Sequence, residues 1–306
     1  MHDGSRKAIV AAFFANLGIA LAKLAGFFIT RSAGLLAESG HSLADTGNQA
    51  LLMFGAKRAK RPADREHPFG YGSERYFWAF VVALVLFSMG GLFALYEGIE
   101  KLRHPHEIDS AAVAFVILGL AIALESFSLR TAVKEAQPFR AEGTSWFDFI
   151  RTAKSPELPV VLLEDVGAEI GLLCALAGLI LAEATGNPRW DAVGSIAIGV
   201  LLVIIAIVLA GEMKRLLIGE AASDADLVKI TNALSSSPNV NSIIHLRTVH
   251  LGPEDLLVAA KVDFADTLSV EELARAIDDA ERAVRSAVPT TTTIYIEPDI
   301  RRQPAP

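Results

Sequence analysis

Apolar residues fill the first two thirds of the chain in runs of about twenty, and the runs stop near Gly211. Six can be drawn, at residues 8–29, 35–56, 76–98, 111–133, 159–182 and 192–210. Each is long enough for a helix rising 1.5 Å per residue to cross a hydrocarbon core of about 30 Å. After Gly219 the periodicity changes. Residues 224–234 predict a helix with Ser223 as its N-cap. Residues 240–249 and 256–264 alternate as strands joined across Gly252, Pro253, Glu254 and Asp255. The pattern over 269–288 predicts an amphipathic helix, opened by a Ser269-to-Glu272 capping box and carrying Leu273, Ile277 and Val284 on one face. Residues 291–296 read as a last strand. An α-β-β-α-β order predicts a small ferredoxin-like sheet covered on one face by helices.

The side on which each connection lies follows from its lysines and arginines, which cytoplasmic loops retain. Between the second and third runs stand Lys57, Arg58, Lys60, Arg61, Arg65 and Arg75, and from the end of the fourth to the fifth Arg130, Lys134, Arg140, Arg151 and Lys154. The alternate connections hold only Arg31, then Lys101 and Arg103, then Arg189. Both termini are therefore expected in the cytoplasm. The expected fold class is an α-helical membrane protein: six transmembrane helices over residues 1–215 and a small cytoplasmic α+β domain over 216–306. Arg6 and Lys7 ahead of the first run imitate a signal peptide. The run is too long and lacks a small-residue cleavage site, so a retained first helix is expected.

A mean hydropathy of +0.40 and 52% hydrophobic residues suit this reading and not an ordinary soluble protein. Of the net charge of −7, about −6 lies after Gly219. An acidic soluble tail gives no reason to expect a nucleic-acid partner. The single cysteine, Cys174, lies in an apolar run and forms neither an intrachain disulfide nor a cysteine metal cluster.

Several runs are not purely apolar. Lys23 lies in the first, Glu125 and Ser126 in the fourth, and Glu164, Asp165 and Glu169 in the fifth. Charged residues at such depth face a bundle interior or a water-filled cavity. Lys23 and Glu125 are read as a buried ion pair or as snorkelling side chains. Small residues, including Gly91, Gly167 and Gly178, allow close helix contact. The long fourth-to-fifth connection holds Trp146, Phe147 and Phe149, as expected of an amphipathic segment at the membrane interface.

The second run is the most informative. In AESGHSLADTGNQAL, His41 and Asp45 stand one helical turn apart on one face, continued by Asn48 and Gln49. An imidazole and a carboxylate at i and i+4 suit a borderline divalent cation such as Zn²⁺, with room for further ligands from a neighbouring helix. Asp165, with Glu164 beside it and Glu169 one turn on, supplies carboxylates for the other half of such a site.

HSLADTGNQALL, the following DREHPFGYGSERYFWAF, the six runs and the acidic tail together resemble the cation diffusion facilitator family of divalent-metal/proton antiporters, over nearly the whole chain. FDFIRTAKSPELPVVLLED is most similar to the zinc transporter 9-like branch. The resemblance implies a homodimer paired through its soluble domains, here placed in a bacterial inner membrane, with the metal ion as cargo and no organic cofactor. It also implies a transport site with two ligands on the second span and two on the fifth. His41 and Asp45 fill the first pair and Asp165 one position of the second, but Val161 occupies the other. Because the two spans run antiparallel, Val161 is expected level with Asp45. Water, Glu164 or Glu169 then completes the shell, with Glu164 preferred, or three residues bind the metal and leave one position open. Asp64 and His67 match a second metal site of some members, while Tyr71 stands where a further histidine often occurs; a polar loop at the domain junction is the preferred reading. In the soluble domain Ile244, Ala260 and Tyr295 replace histidines and only Glu297 keeps a carboxylate, so a dimerisation module without a binuclear metal site is expected.

The function expected is export of Zn²⁺ from the cytoplasm against protons by alternating access, with Mn²⁺ or another transition metal as the alternative cargo. Metal and proton compete for the same lone pairs, so each weakens the other's binding. No nucleotide-binding or HExxH motif is present, which argues against an ATP-driven pump and a metallohydrolase. A membrane protein that senses metal or acts as a scaffold without transporting is the alternative of another class, resting on Val161.

Overall fold

The computed structural model describes residues 3–31, 33–105, 111–140 and 143–301; the side chains of residues 3–16, 33–34, 37–38 and 41 lie outside the described set. Two compact units result, Met1–Lys57 with Phe77–Lys214, and Arg58–Tyr76 with Arg215–Pro306.

The first unit is helical throughout: α1 (Asp3–Thr30), α2 (Ala33–Arg58), α3 (Glu74–Val85), a π-helical segment Leu86–Leu92, α4 (Phe93–Arg103), α5 (Ala111–Ala136), α6 (Trp146–Thr152), α7 (Glu157–Thr185) and α8 (Arg189–Ile218). Long apolar segments adopt helices because hydrocarbon offers no partner for an open peptide group. Among the described residues four helices are long and apolar enough to cross a membrane: Glu74–Arg103, Ala111–Phe139, Glu157–Thr185 and Arg189–Ile218. The chain is an integral membrane protein. The described apolar stretch Leu17–Thr30 of α1 is shorter, and α2 is interrupted by its polar residues.

Glycines set the closest helix approaches. A Cβ on Gly178 of α7 would lie 2.8 Å from the Trp190 carbonyl oxygen of α8, and one on Gly194 would lie 2.9 Å from the Cys174 carbonyl oxygen. Backbone therefore packs on backbone there, fixing α7 against α8 in rotation as well as distance. At α6, Phe149 and Ile150 are buried with Ala132, Ala136 and Leu162, and Trp146 packs beside them, whereas Phe147 remains 60% exposed. The aromatic segment is thus amphipathic, with its apolar side on α5 and α7.

The second unit contains α9 (Asp224–Ser235), β1 (Val240–Gly252), β2 (Asp255–Phe264), α10 (Val270–Ala287) and β3 (Thr291–Pro298). The sheet order is β1-β2-β3, with β1 antiparallel and β3 parallel to the central β2. Alternate β2 residues Leu256, Val258, Ala260, Val262 and Phe264 are buried. They form one core with Ile230 and Leu234 of α9 and Ala276, Ala280 and Val284 of α10. Burying a Val, Leu, Ile or Phe side chain contributes about 1.5–3 kcal/mol, so this face accounts for the layer of helices. Both expected caps form: Ser223 accepts from the Asp226 amide, and Ser269 and Glu272 complete a capping box. Residues 58–76 join this unit through Ser73, whose hydroxyl donates to the Leu251 carbonyl at 2.9 Å, and through Gly72, where a Cβ would lie 2.8 Å from the same oxygen.

Candidate metal site in the helical unit

Helical spacing puts Asp45 and Gln49 one turn apart on α2, and Val161 and Asp165 one turn apart on α7. These four residues, with Ser42 of α2, Glu164 of α7, Glu125 of α5 and Ile19 of α1, line one small pocket. Glu164 is buried and accepts from Asn48 Nδ2 at 2.5 Å, tying α7 to α2. Ser128 of α5 donates to Asp165 Oδ2 at 3.2 Å. Lys23, 1% exposed, donates to Ser42 Oγ at 2.7 Å and stands 3.5 Å from Glu125 Oε1. The expected ion pair between Lys23 and Glu125 therefore forms, and Glu125 is also part of the cavity wall.

The chemistry of this lining favours a cation. Carboxylates from three helices surround a cavity whose described lining includes no basic side chain, and low-dielectric walls strengthen their pull on a positive ion. Asn48 Oδ1 and Gln49 Oε1 are buried acceptors with no hydrogen-bond donor among the described residues. Buried acceptors of this kind cost free energy unless a protic group or a metal ion meets them. Among the described residues no three His, Cys, Asp or Glu side chains have closed into a ligand cluster; the carboxylates stand around the cavity.

His41 belongs to α2 one turn before Asp45, and its side chain lies outside the described residues. Val161 lines the cavity, so an apolar wall occupies the position where the resemblance implies a ligand. Glu169 does not line the cavity: its Oε1 accepts from Ser126 at 2.9 Å. Gln49 lies on the face that the sequence marks with His41 and Asp45, whereas Glu125 and Ser42 are not expected in the site from the sequence. The signal for Glu125 was its opposite charge to Lys23 in another span, which predicts a pair without saying what the pair adjoins.

Asp64 and His67 lie in the second unit. Asp64 Oδ1 accepts from the amides of Glu66 at 3.0 Å and His67 at 2.8 Å, and Oδ2 from the Tyr71 hydroxyl at 2.6 Å. The Tyr71 hydrogen bond, followed by the His67 amide, holds the Asp64 carboxyl below the usual carboxylate range, and the same bond raises the Tyr71 phenol. The His67 ring lies against Tyr71 with centroids 4.3 Å apart. These groups close a loop on itself. In the sheet, Ala260 points into the helix-covered core while Tyr295 is exposed and Glu297 pairs with Lys261 at 2.9 Å.

Residues 9–218 match the family description "Cation efflux transmembrane domain", and residues 222–299 match "Cation efflux protein, cytoplasmic domain". The chain is 33% identical over 262 residues to the mitochondrial proton-coupled zinc antiporter SLC30A9 of Xenopus laevis, covering 85% of this chain and 47% of that protein. It is 31% identical to metal tolerance protein C4 of Arabidopsis thaliana, covering 87% of this chain and 59% of that one. It is 25% identical to the metal cation efflux system protein CzcD of Cupriavidus metallidurans, covering 89% and 82%. The chain spans about half the length of the first two curated relatives it matches.

Proposed function

The chain belongs to the cation efflux, or cation diffusion facilitator, family, and from that premise we propose that it is an antiporter exporting a divalent metal cation, Zn²⁺ by preference, from the cytoplasm in exchange for protons. The observation that supports this best is the single cavity shared by Asp45 of α2 and by Glu164 and Asp165 of α7. The printed description of the Xenopus relative, a proton-coupled zinc antiporter, supports the same ion and coupling.

In this reading Asp45, Asp165 and His41 hold the ion and Glu164 takes the position that Val161 leaves without a donor. Glu169, bonded to Ser126, is left out of the shell. Zn²⁺ enters from the cytoplasm, displaces a proton from His41 or a neighbouring carboxylate, and leaves on the far side as a proton returns. Histidine suits the exchange because its ordinary pKa lies near 6.5. An imidazole also tilts the site toward Zn²⁺ over Mn²⁺. No covalent chemistry is involved, so the chain is a secondary transporter and not an enzyme. Six spans, with the two shorter or more polar ones supplied by α1 and α2, leave both termini in the cytoplasm of a bacterial inner membrane, in accord with the lysine and arginine distribution. The cytoplasmic domain pairs two copies as a homodimer. Asp64 and His67 serve to close their loop.

The test is Zn²⁺ flux into proteoliposomes holding the full chain, across an imposed pH gradient and with Mn²⁺ as competitor. Gradient-dependent Zn²⁺ uptake that Mn²⁺ inhibits only weakly is expected. Flux no greater than in protein-free liposomes overturns the transport reading and leaves a metal-sensing or scaffold role, and preferential Mn²⁺ uptake overturns the choice of ion.

A further inference from the structure

The Lys23 amine is buried inside the helical unit, 1% exposed, where a charge is costly unless it is paired. Among its partners are Ser42 Oγ at 2.7 Å and Glu125 Oε1 at 3.5 Å, and its charge also acts on Asp45. Ser42 and Glu125 line the same cavity as Asp45, Glu164 and Asp165. The ammonium therefore stands directly behind the wall of the candidate ion site, bridging α1 to α2 and α5. Fixing three helices does not require an ion pair. Apolar residues of similar volume commonly hold such a contact as well or better. What only a charge accomplishes is to change the electrostatic potential of the cavity.

We propose that Lys23 is a built-in counter-cation of the ion site: by holding Glu125 in a neutral pair, it keeps that carboxylate from gripping the divalent cation and so sets an affinity low enough for release. This rests on the reading of the cavity as the transport site. With Lys23 in place the ion meets Asp45, Glu164 and Asp165, while the Glu125 charge is already matched. Without Lys23 a fourth uncompensated carboxylate faces the same space. A transporter gains nothing from that, because an ion held too tightly does not leave. Lys23 is thus a positioning residue that acts chiefly through Glu125, the carboxylate it faces at 3.5 Å.

The experiment measures Zn²⁺ affinity by calorimetry on the detergent-solubilised full chain, and KM and maximal flux in proteoliposomes. At an effective dielectric constant of about 20, one unit charge near a dication changes affinity by at least about tenfold. Lys23→Met is therefore expected to bind Zn²⁺ at least about tenfold more tightly, with a lower KM and a lower maximal flux, while Lys23→Arg keeps wild-type values. Glu125→Gln, which removes the carboxylate charge facing the ammonium, is expected to bind at least about tenfold more weakly. The double variant Lys23→Met/Glu125→Gln restores wild-type affinity. A Lys23→Met protein that binds no more tightly than wild type overturns the inference. Should that variant not fold, the double variant decides: if its affinity stays weak, Glu125 is itself a ligand and Lys23 sets nothing. Failure of the underlying site is seen separately, as Zn²⁺ binding to the wild type that Asp45→Ala and Asp165→Ala leave unchanged.

Discussion

Asn48 of α2 donates its amide to Glu164 of α7 at 2.5 Å, with both side chains buried, so the helix carrying Asp45 and the helix carrying Asp165 are tied together by one polar contact beside the cavity. A hydrogen bond of this kind contributes about 0.5–1.5 kcal/mol. Asn48→Ala should lower thermal stability in detergent by that order and weaken Zn²⁺ binding, because Glu164 loses its orienting donor. Glu164→Gln should weaken Zn²⁺ binding while retaining most of the stability, since an amide still bonds to Asn48. Adding Val161→His to Glu164→Gln should recover affinity. Wild-type affinity in Glu164→Gln would remove Glu164 from the shell and leave water in its place.

Asp45→Ala and Asp165→Ala should each reduce metal flux to background without preventing membrane insertion. Each removes an anionic ligand that water replaces poorly. His41→Asp should retain part of the flux and shift competition toward Mn²⁺, as a harder oxygen donor replaces nitrogen. Flux and competition measured in the same proteoliposomes check both statements.

Lys101 and Asp191 form a second buried pair, 3.3 Å apart with side chains 5% and 0% exposed, and Lys101 also donates to the Arg31 carbonyl at 2.5 Å. The contact joins the ends of α1, α4 and α8. Stripping a buried charge of its partner costs about 3–5 kcal/mol. Lys101→Met should thus lose most of the monodisperse protein on size exclusion. Lys101→Met/Asp191→Asn should regain much of it, since no net charge is then left.

The loop closed by Asp64 should respond to pH in one direction. Its folded pKa is lowered, chiefly by the Tyr71 hydroxyl, so its contribution is complete above the ordinary aspartate value of about 3.9 and is lost as pH falls through the lower folded value. Tyr71→Phe should move the Asp64 titration upward, as followed by carboxyl NMR. Asp64→Asn should leave the number of Zn²⁺ ions bound per chain unchanged, and a drop by one would show that this loop holds metal.

Ala260 pairs with Leu246 and Ile296 in the sheet and is 4% exposed under the helices. Ala260→His should not create a metal site. Overpacking of this kind costs about 1–3 kcal/mol, and denaturant unfolding of the variant should show a loss of that size with no stabilisation by added Zn²⁺.

The order and limits of the soluble elements were legible in the chain because their signals are local. Ser223 and the Ser269-to-Glu272 box cap helices within four residues of themselves, and β2 declares its buried face by strict alternation. The i and i+4 relation of His41 to Asp45 is likewise internal to one helix, as is that of Val161 to Asp165. Which polar residues of different helices share a cavity is another kind of question. It depends on the rotation of each helix about its axis and on its slide along its neighbour, and α7 carries carboxylates at 164, 165 and 169 on more than one face. Backbone-to-backbone packing at Gly178 and Gly194 fixes α7 against α8, Asn48 captures Glu164, and Ser126 draws Glu169 toward α5. Only that packing decided that Glu164 and Glu125 border the cavity and Glu169 does not. A sequence records which charges must be matched, whereas steric contact between helices selects which charges meet.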